Sequence, residues 1–260
     1  MLLIDRIAII TGGGRGIGRA IARRFAAAGA KVAVVARTQK EIETVAGELR
    51  SAGYSAVAIS ADVSQESGAQ KIVAETLKHF GRIDILVNNA GVLGSVKAIE
   101  EVDPAEWDAV IAANLRGPFL LSRLVLPEMY HQKSGAIINM SSVAGKAAFR
   151  WNAPYAASKT GLLGLTRTLA AEAAANGVRV NAICPGPVEE TEMLQKLGKG
   201  LSERLQTSSE KVSQQLALGI LQGRAQRVEE IAAAALFLAS DAASAITGQT
   251  LNVDGGMSFY

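Results

Sequence analysis

The 260-residue sequence predicts a single α/β domain: a doubly wound parallel sheet of about seven strands with helices on both faces. Three observations lead there. Short β-branched runs alternate with longer segments whose apolar residues recur at helical spacing. The short runs are apolar at consecutive positions, as strands covered on both faces must be. The first run ends in a cluster of glycines that opens the first helical segment.

Arg6–Ile10 is the first strand. It continues an apolar stretch from Met1, interrupted by Asp5 and Arg6, that lacks the basic start and cleavage site of a signal peptide and reads as strand throughout. Ile17–Ala28 is a helix stopped by Gly29. Lys31–Ala36 is the second strand, Gln39–Ser51 an amphipathic helix, Ser55–Ser60 the third strand, Gly68–Phe80 a helix and Ile83–Val87 the fourth strand. One helix is expected over Pro104–Met129, then a strand over Ala136–Met140, a helix over Tyr155–Asn176 and a strand over Arg179–Ile183. Leu194–Arg227 is long, charged and only partly helical. A helix over Val228–Ala239 and a strand over Gln249–Val253 close the pattern. Right-handed crossovers between such units wind the sheet in both directions. No internal repeat, low-complexity tail or linker divides residues 1–260.

Composition narrows the function. One cysteine, Cys184, excludes an internal disulfide framework and a multi-cysteine metal site; two histidines, His79 and His131, cannot build a histidine-based zinc site, so no metal is expected. The net charge is +3, with basic and acidic residues interspersed and no polybasic run, which disfavours nucleic acid as a partner. No uninterrupted apolar run approaches membrane length, so a cytoplasmic protein without membrane contact is expected.

The glycine loop carries the first chemistry. Thr11-Gly12-Gly13-Gly14-Arg15-Gly16-Ile17-Gly18 joins strand to helix. Glycines allow the chain to turn sharply and approach a pyrophosphate, and the helix start offers unpaired N–H groups and partial positive charge. The strict GxGxxG spacing is absent, and Arg19-Ala20 after Gly18 breaks the P-loop pattern, which argues against an ATPase. The loop is either a Rossmann-type dinucleotide cradle or a structural turn. The second strand ends in Ala36-Arg37 with no acid to bind ribose hydroxyls. Arg37 and Arg15 then form a clamp for a 2′-phosphate, or are two solvated arginines; the first reading favours NADP(H) over NAD(H).

Tyr155 and Lys159 share one helix face. A nearby ammonium favours a phenolate, so the pair is a reasonable general acid and base, or merely a surface pair. Ser142 follows the fifth strand, where a hydroxyl can donate to oxyanion charge or cap a turn. Asn114 stands mid-helix before Gly117-Pro118, where it either opens the backbone to hold a water or is an ordinary polar residue. The amides of Asn88 and Asn89 pin strand ends and face a cofactor, or simply make turns.

Together these residues strongly resemble the short-chain dehydrogenase/reductase family over essentially the whole chain. The glycine loop is similar to the family's TGxxxGxG element, and Asp62-Val63 to its adenine-side position. Asn88-Asn89-Ala90-Gly91 is similar to its NNAG element, Pro185-Gly186 to the turn after the sixth strand, and Asp254-Gly255-Gly256 to its C-terminal element. Asn114, Ser142, Tyr155 and Lys159 fall in the order and spacing of its catalytic tetrad. The resemblance implies that Tyr155 gives and takes the proton and that Lys159 lowers its pKa and holds the nicotinamide ribose. It implies that Ser142 orients the carbonyl and Asn114 positions a relay water. Asn89 and the backbone around Val188 would line the nicotinamide side, and Thr191 would bond its carboxamide, although the run Pro187–Met193 is one residue longer than usual and leaves the register of Thr191 open. Residues 189–227 would be a substrate lid, with Leu197, Leu201, Leu216 and Leu218 over the substrate or over each other, and Arg150 and Trp151 at its mouth.

The activity so implied is hydride transfer between NADP(H) and a ketone or secondary alcohol, with a 3-oxoacyl thioester as the commonest template. Such reductases often carry a basic residue at the helix end where this chain has Asn176. A polyol, sugar or cyclic-alcohol dehydrogenase using NAD(H) is the alternative. A non-catalytic NADPH-binding regulator is the alternative of another class, and would be expected to lose Tyr155, Lys159 or Ser142. A hydrolase is disfavoured because Ser142 has no nucleophile elbow. The family implies a homotetramer, or a homodimer, through the helices of Pro104–Met129 and Tyr155–Asn176.

Overall fold

In a computed structural model describing residues 2–259, the β-branched runs form one sheet. Its strands are β1 (Ile7–Thr11), β2 (Lys31–Ala36), β3 (Ala56–Ser60), β4 (Ile85–Asn88), β5 (Gly135–Met140), β6 (Val178–Pro185) and β7 (Thr250–Val253). They pair in parallel in the order β3-β2-β1-β4-β5-β6-β7. The order reverses between β1 and β4, which opens a crevice at their carboxyl ends.

Strict alternation divides the core in two. Ala8, Ile10, Val32, Val34, Ile85 and Val87 face helices α1 (Gly16–Ala27), α2 (Gln39–Ser51) and α9 (Val228–Ala239). Ile9, Ala33, Val35, Leu86 and Ile137 face α3 (Glu66–Phe80), α5 (Gly117–Gln132) and α6 (Ala153–Ala173). Each strand thus buries both faces, the reason its sequence reads as a continuous apolar run.

Several boundaries differ from the sequence reading. The stretch before β1 is a turn over residues 2–5, not strand, because Asp5 takes a left-handed φ of 57° that no strand tolerates; Met1 lies outside the described residues. The expected helix Pro104–Met129 is interrupted. α4 (Pro104–Ile111), capped by Asp103 through the N–H of Ala105 at 2.7 Å, leads into a π turn over Ala112–Arg116 and then α5. Pro118 has no N–H to offer the carbonyl of Asn114 four residues earlier, so the helix widens there. The rod Pro104–Gln132 is long and apolar enough to cross a membrane by length and composition, although charged residues interrupt its apolar run; half of its apolar stretch is buried and it packs on α3 and α6 as a core element. The segment beyond β6 holds two helices, α7 (Glu192–Leu205) and α8 (Ser209–Leu218), capped by Thr191 and Ser208.

Candidate active site

At the crevice, one cavity of about 1290 Å³ runs from the glycine loop to α7. Its floor is built by the switch-point strands. Thr11 Oγ accepts the N–H groups of Asn89 and Ala90 at 2.9 and 3.0 Å and donates to the Val87 carbonyl at 3.1 Å. Asn89 Nδ2 donates back to the Thr11 carbonyl at 2.8 Å. The ends of β1 and β4 are thereby locked together, with Gly12, Gly14, Arg15, Gly16, Ile17 and Gly18 on one wall and Asn89, Ala90 and Gly91 beside them. Gly12 and Gly16 adopt φ of +63° and +50°, and a Cβ on Gly18 would collide with the Gly12 carbonyl oxygen. Arg15 at the start of α1 caps no N–H with its side chain, which leaves the first-turn amides for an anion. A tight loop with Cβ atoms only on Arg15 and Ile17, at a helix start and beside a large cavity, fits the pyrophosphate of a dinucleotide.

Arg37, Asp62 and Val63 line the far end. Asp62 is also structural, since one of its oxygens accepts the N–H and hydroxyl of Ser64 at 2.9 and 2.8 Å. Arg37 makes no ion pair among the described residues, whereas Arg15 lies 3.7 Å from Glu41 and pairs with Glu192. The two arginines of the clamp reading share the cavity, but they differ in charge environment.

Ser142, Tyr155 and Lys159 meet at the other end, on the loop after β5 and the first turns of α6. Tyr155 is buried among Leu93, Ala144, Phe149, Met193 and Leu197. Its hydroxyl lies 3.7 Å from the Met193 sulfur, and Ser142 lines the same cavity. Burial pushes the phenol up to about 12, while the nearby Ser142 hydroxyl opposes the rise. Burial likewise pulls the Lys159 amine down to about 8. The Lys159 ammonium sits 5.4 Å from the Tyr155 ring centroid and donates to the Met140 carbonyl at 2.7 Å. Ser142 Oγ also accepts the N–H of Ala144 at 3.1 Å, so it is both turn cap and site residue.

Asn114 does not line the cavity. It is fully buried in the π turn, where its amide clasps Val92 through both backbone groups at 2.8 and 2.9 Å and donates to Ser158 Oγ at 3.0 Å. Gly91 lies between it and Lys159: a Cβ there would be 3.1 Å from Asn114 Oδ1 and 3.5 Å from Lys159 Nζ. Asn88 pins β4 to β5 through Asn139 at 2.9 Å, and Asn139 in turn reaches Thr166 on α6.

Pro185, Gly186, Val188 and Thr191 form the remaining wall. The Thr191 hydroxyl caps α7 at Leu194 N–H and donates to the Val188 carbonyl at 2.8 Å, so its first duty is structural. Leu197, Leu201 and Leu216 face the cavity, while Leu218 is 87% exposed and belongs to neither the cavity nor the core. Arg150 and Trp151 stand at the mouth; Trp151 holds φ +64°, a strained value for a bulky residue, beneath the guanidinium groups of Arg150 and Arg204. Thr11, Met193 and Glu192 are contacts that sequence reasoning missed. Only Thr11 carried a signal, as a hydroxyl at a strand end beside the switch point.

A family model described as short chain dehydrogenase matches residues 6–202. The chain is 38% identical over 255 residues to a 3-oxoacyl-[acyl-carrier-protein] reductase of Staphylococcus aureus, covering 98% of each chain. Among solved structures it is similar to levodione reductase, with a TM-score of 0.93 at 37% identity and 97% of each chain covered. It is also similar to a variant of actinorhodin polyketide ketoreductase with NADPH, with a TM-score of 0.94 at 36% identity and 98% of each chain covered.

Proposed function

The chain belongs to the short-chain dehydrogenase family, an oxidoreductase acting on carbonyl or alcohol groups, and on that premise we propose that it is an NADP(H)-dependent ketoreductase. The observation that carries this is the meeting of Tyr155, Ser142 and Lys159 in the cavity that begins at the glycine loop. A bound nicotinamide dinucleotide supplies the hydride. Residues Gly12 to Gly18 would hold its pyrophosphate, Asp62 and Val63 its adenine side, and Asn89 to Gly91 with Pro185, Gly186, Val188 and Thr191 its nicotinamide side. Arg37 and Arg15 would face the 2′-phosphate; the relative with NADPH supports this choice.

Tyr155 Oη gives its proton to the carbonyl oxygen in reduction and recovers it in oxidation. A phenol held near 12 stays protonated at neutral pH, as a donor must. Ser142 shares the oxygen and restrains its approach. Lys159, with an amine near 8, titrates close to neutrality and is suited to pass a proton on. Asn114, held in the π turn by Val92 and Ser158, would position a relay water behind Lys159.

The substrate class we favour is a 3-oxoacyl thioester. The apolar wall of Leu93, Phe149, Met193 and Leu197 suits an acyl chain. Lys133 Nζ lies 3.0 Å from Asn176 Oδ1, so a cation stands at the helix end that lacks a basic residue of its own. The same apolar wall and the likeness to levodione reductase favour a cyclic ketone as the second reading. The protein would work in the cytoplasm.

Oxidation of NADPH and NADH against 3-oxoacyl thioesters, cyclic diketones and keto sugars tests these readings. NADPH-dependent turnover of the thioesters alone supports the first, and turnover restricted to cyclic diketones the second. NADPH binding with no turnover of any of them would favour a regulator.

A further inference from the structure

Arg15 stands where the glycine loop meets the first turn of α7. Glu192 reaches its guanidinium from that turn, and Glu41 stands 3.7 Å away on α2. The two carboxylates are not equivalent. Glu41 is fixed, because its Cβ packs against the glycine loop so closely that a Cβ on Gly14 would lie 2.9 Å from it. Glu192 belongs to a helix outside the sheet, whose N-cap Thr191 would stand 3.6 Å from a Cβ added to Gly16. The pair is open to water, with side chains 65% and 49% exposed, so it is readily exchanged for a stronger anion.

We propose that Glu192 is a selectivity residue for the cofactor: its carboxylate occupies Arg15 in competition with the 2′-phosphate of an adenosine ligand. The proposal rests on the phosphate clamp of the preceding reading. A phosphate monoester carries up to two charges and three acceptor oxygens against one charge for the carboxylate, so it displaces Glu192. A ligand with a free 2′-hydroxyl brings no anion to the 2′ position, and Glu192 keeps its place. Glu192 thereby lowers the affinity for 2′-phosphorylated ligands without touching the others. Because Met193, the next residue, stands against the Tyr155 hydroxyl, the same exchange frees the turn that covers the reacting end.

Calorimetric titration with adenosine 2′,5′-bisphosphate and adenosine 5′-monophosphate tests this without any turnover. Wild type should prefer the bisphosphate. Glu192→Gln should bind it tighter still, by roughly two- to fivefold, with the monophosphate unchanged. Glu190→Gln removes the same charge from the same loop and makes no ion pair with Arg15, so it should leave both affinities where they were. An equal gain for both nucleotides, an equal gain in Glu190→Gln, or no gain in Glu192→Gln while wild type keeps its preference would overturn the role of Glu192 alone. Equal binding of the two nucleotides by wild type would overturn the clamp and this proposal with it.

Discussion

Between pH 10 and about 12, Tyr155 holds a proton in the native state that it would lose when unfolded. Its phenol moves from 10.0 to about 12 on folding. Its contribution to stability is therefore complete below pH 10 and lost as pH rises toward 12, by about 2–3 kcal/mol in all. Lys159 has the opposite sign. Its amine falls from 10.5 to about 8, so between those values the unfolded chain binds more protons and stability rises with pH. Urea midpoints measured from pH 7 to 12 should show a rise that Lys159→Met flattens and a later fall that Tyr155→Phe flattens. Unchanged slopes in both variants would contradict the burial that drives the two shifts. Tyr155→Phe should also lower kcat by roughly 100-fold or more while nucleotide affinity stays within about twofold, because the ring remains and only the transferable proton is lost. Near wild-type turnover would remove Tyr155 from the chemistry.

At the scale of elements, the π turn is the feature on which the site depends most. Asn114 bonds both backbone groups of Val92 and the Ser158 hydroxyl, so it joins three segments behind Lys159. Asn114→Ala leaves those buried groups unpaired and should cost about 2–3 kcal/mol in urea unfolding, with a larger fractional loss in kcat than in nucleotide affinity. Equal losses in both would reduce Asn114 to a purely structural residue. Glycines on two helices give a contrast. Gly47 in α2 has nothing within 4 Å of an added Cβ, and Gly47→Ala should stabilise the protein by about 0.5–1 kcal/mol. Gly18→Ala places the same atom against the Gly12 carbonyl and should destabilise the fold or open the loop. Thermal melts of the two variants shifting in the same direction would contradict this placement.

For the whole molecule, the sheet leaves β7 as an edge strand with Leu251 38% exposed, and Phe119 on α5 and Phe237 on α9 are 46% and 40% exposed. We propose a homotetramer, or failing that a homodimer, formed through the helices α4, α5 and α6. Light scattering should then give about four times the 27.1 kDa chain mass. A mass of two chains would leave the homodimer, and a mass equal to one chain would exclude both and leave Phe119 of α5 facing water.

Much of this was legible in the sequence because the physics is local. A strand buried on both faces must be apolar at every position, so Ile7–Thr11 and Lys31–Ala36 announce themselves and imply the parallel sheet. A loop that approaches a phosphate must be glycine-rich, and a Tyr-Lys pair four residues apart must share a helix face. What depended on distant segments was not legible. The break at Asn114 needed Pro118 and the clasp on Val92 together. The pairing of Arg15 with Glu192 needed α7 to be laid beside the glycine loop, 177 residues away in sequence. The rise of the Tyr155 pKa needed Leu93, Ala144 and Met193 to exclude water from one side chain. Periodicity and residue type report on neighbours along the chain. Desolvation and charge pairing fall off within a few ångströms in space, so only the folded arrangement decides them.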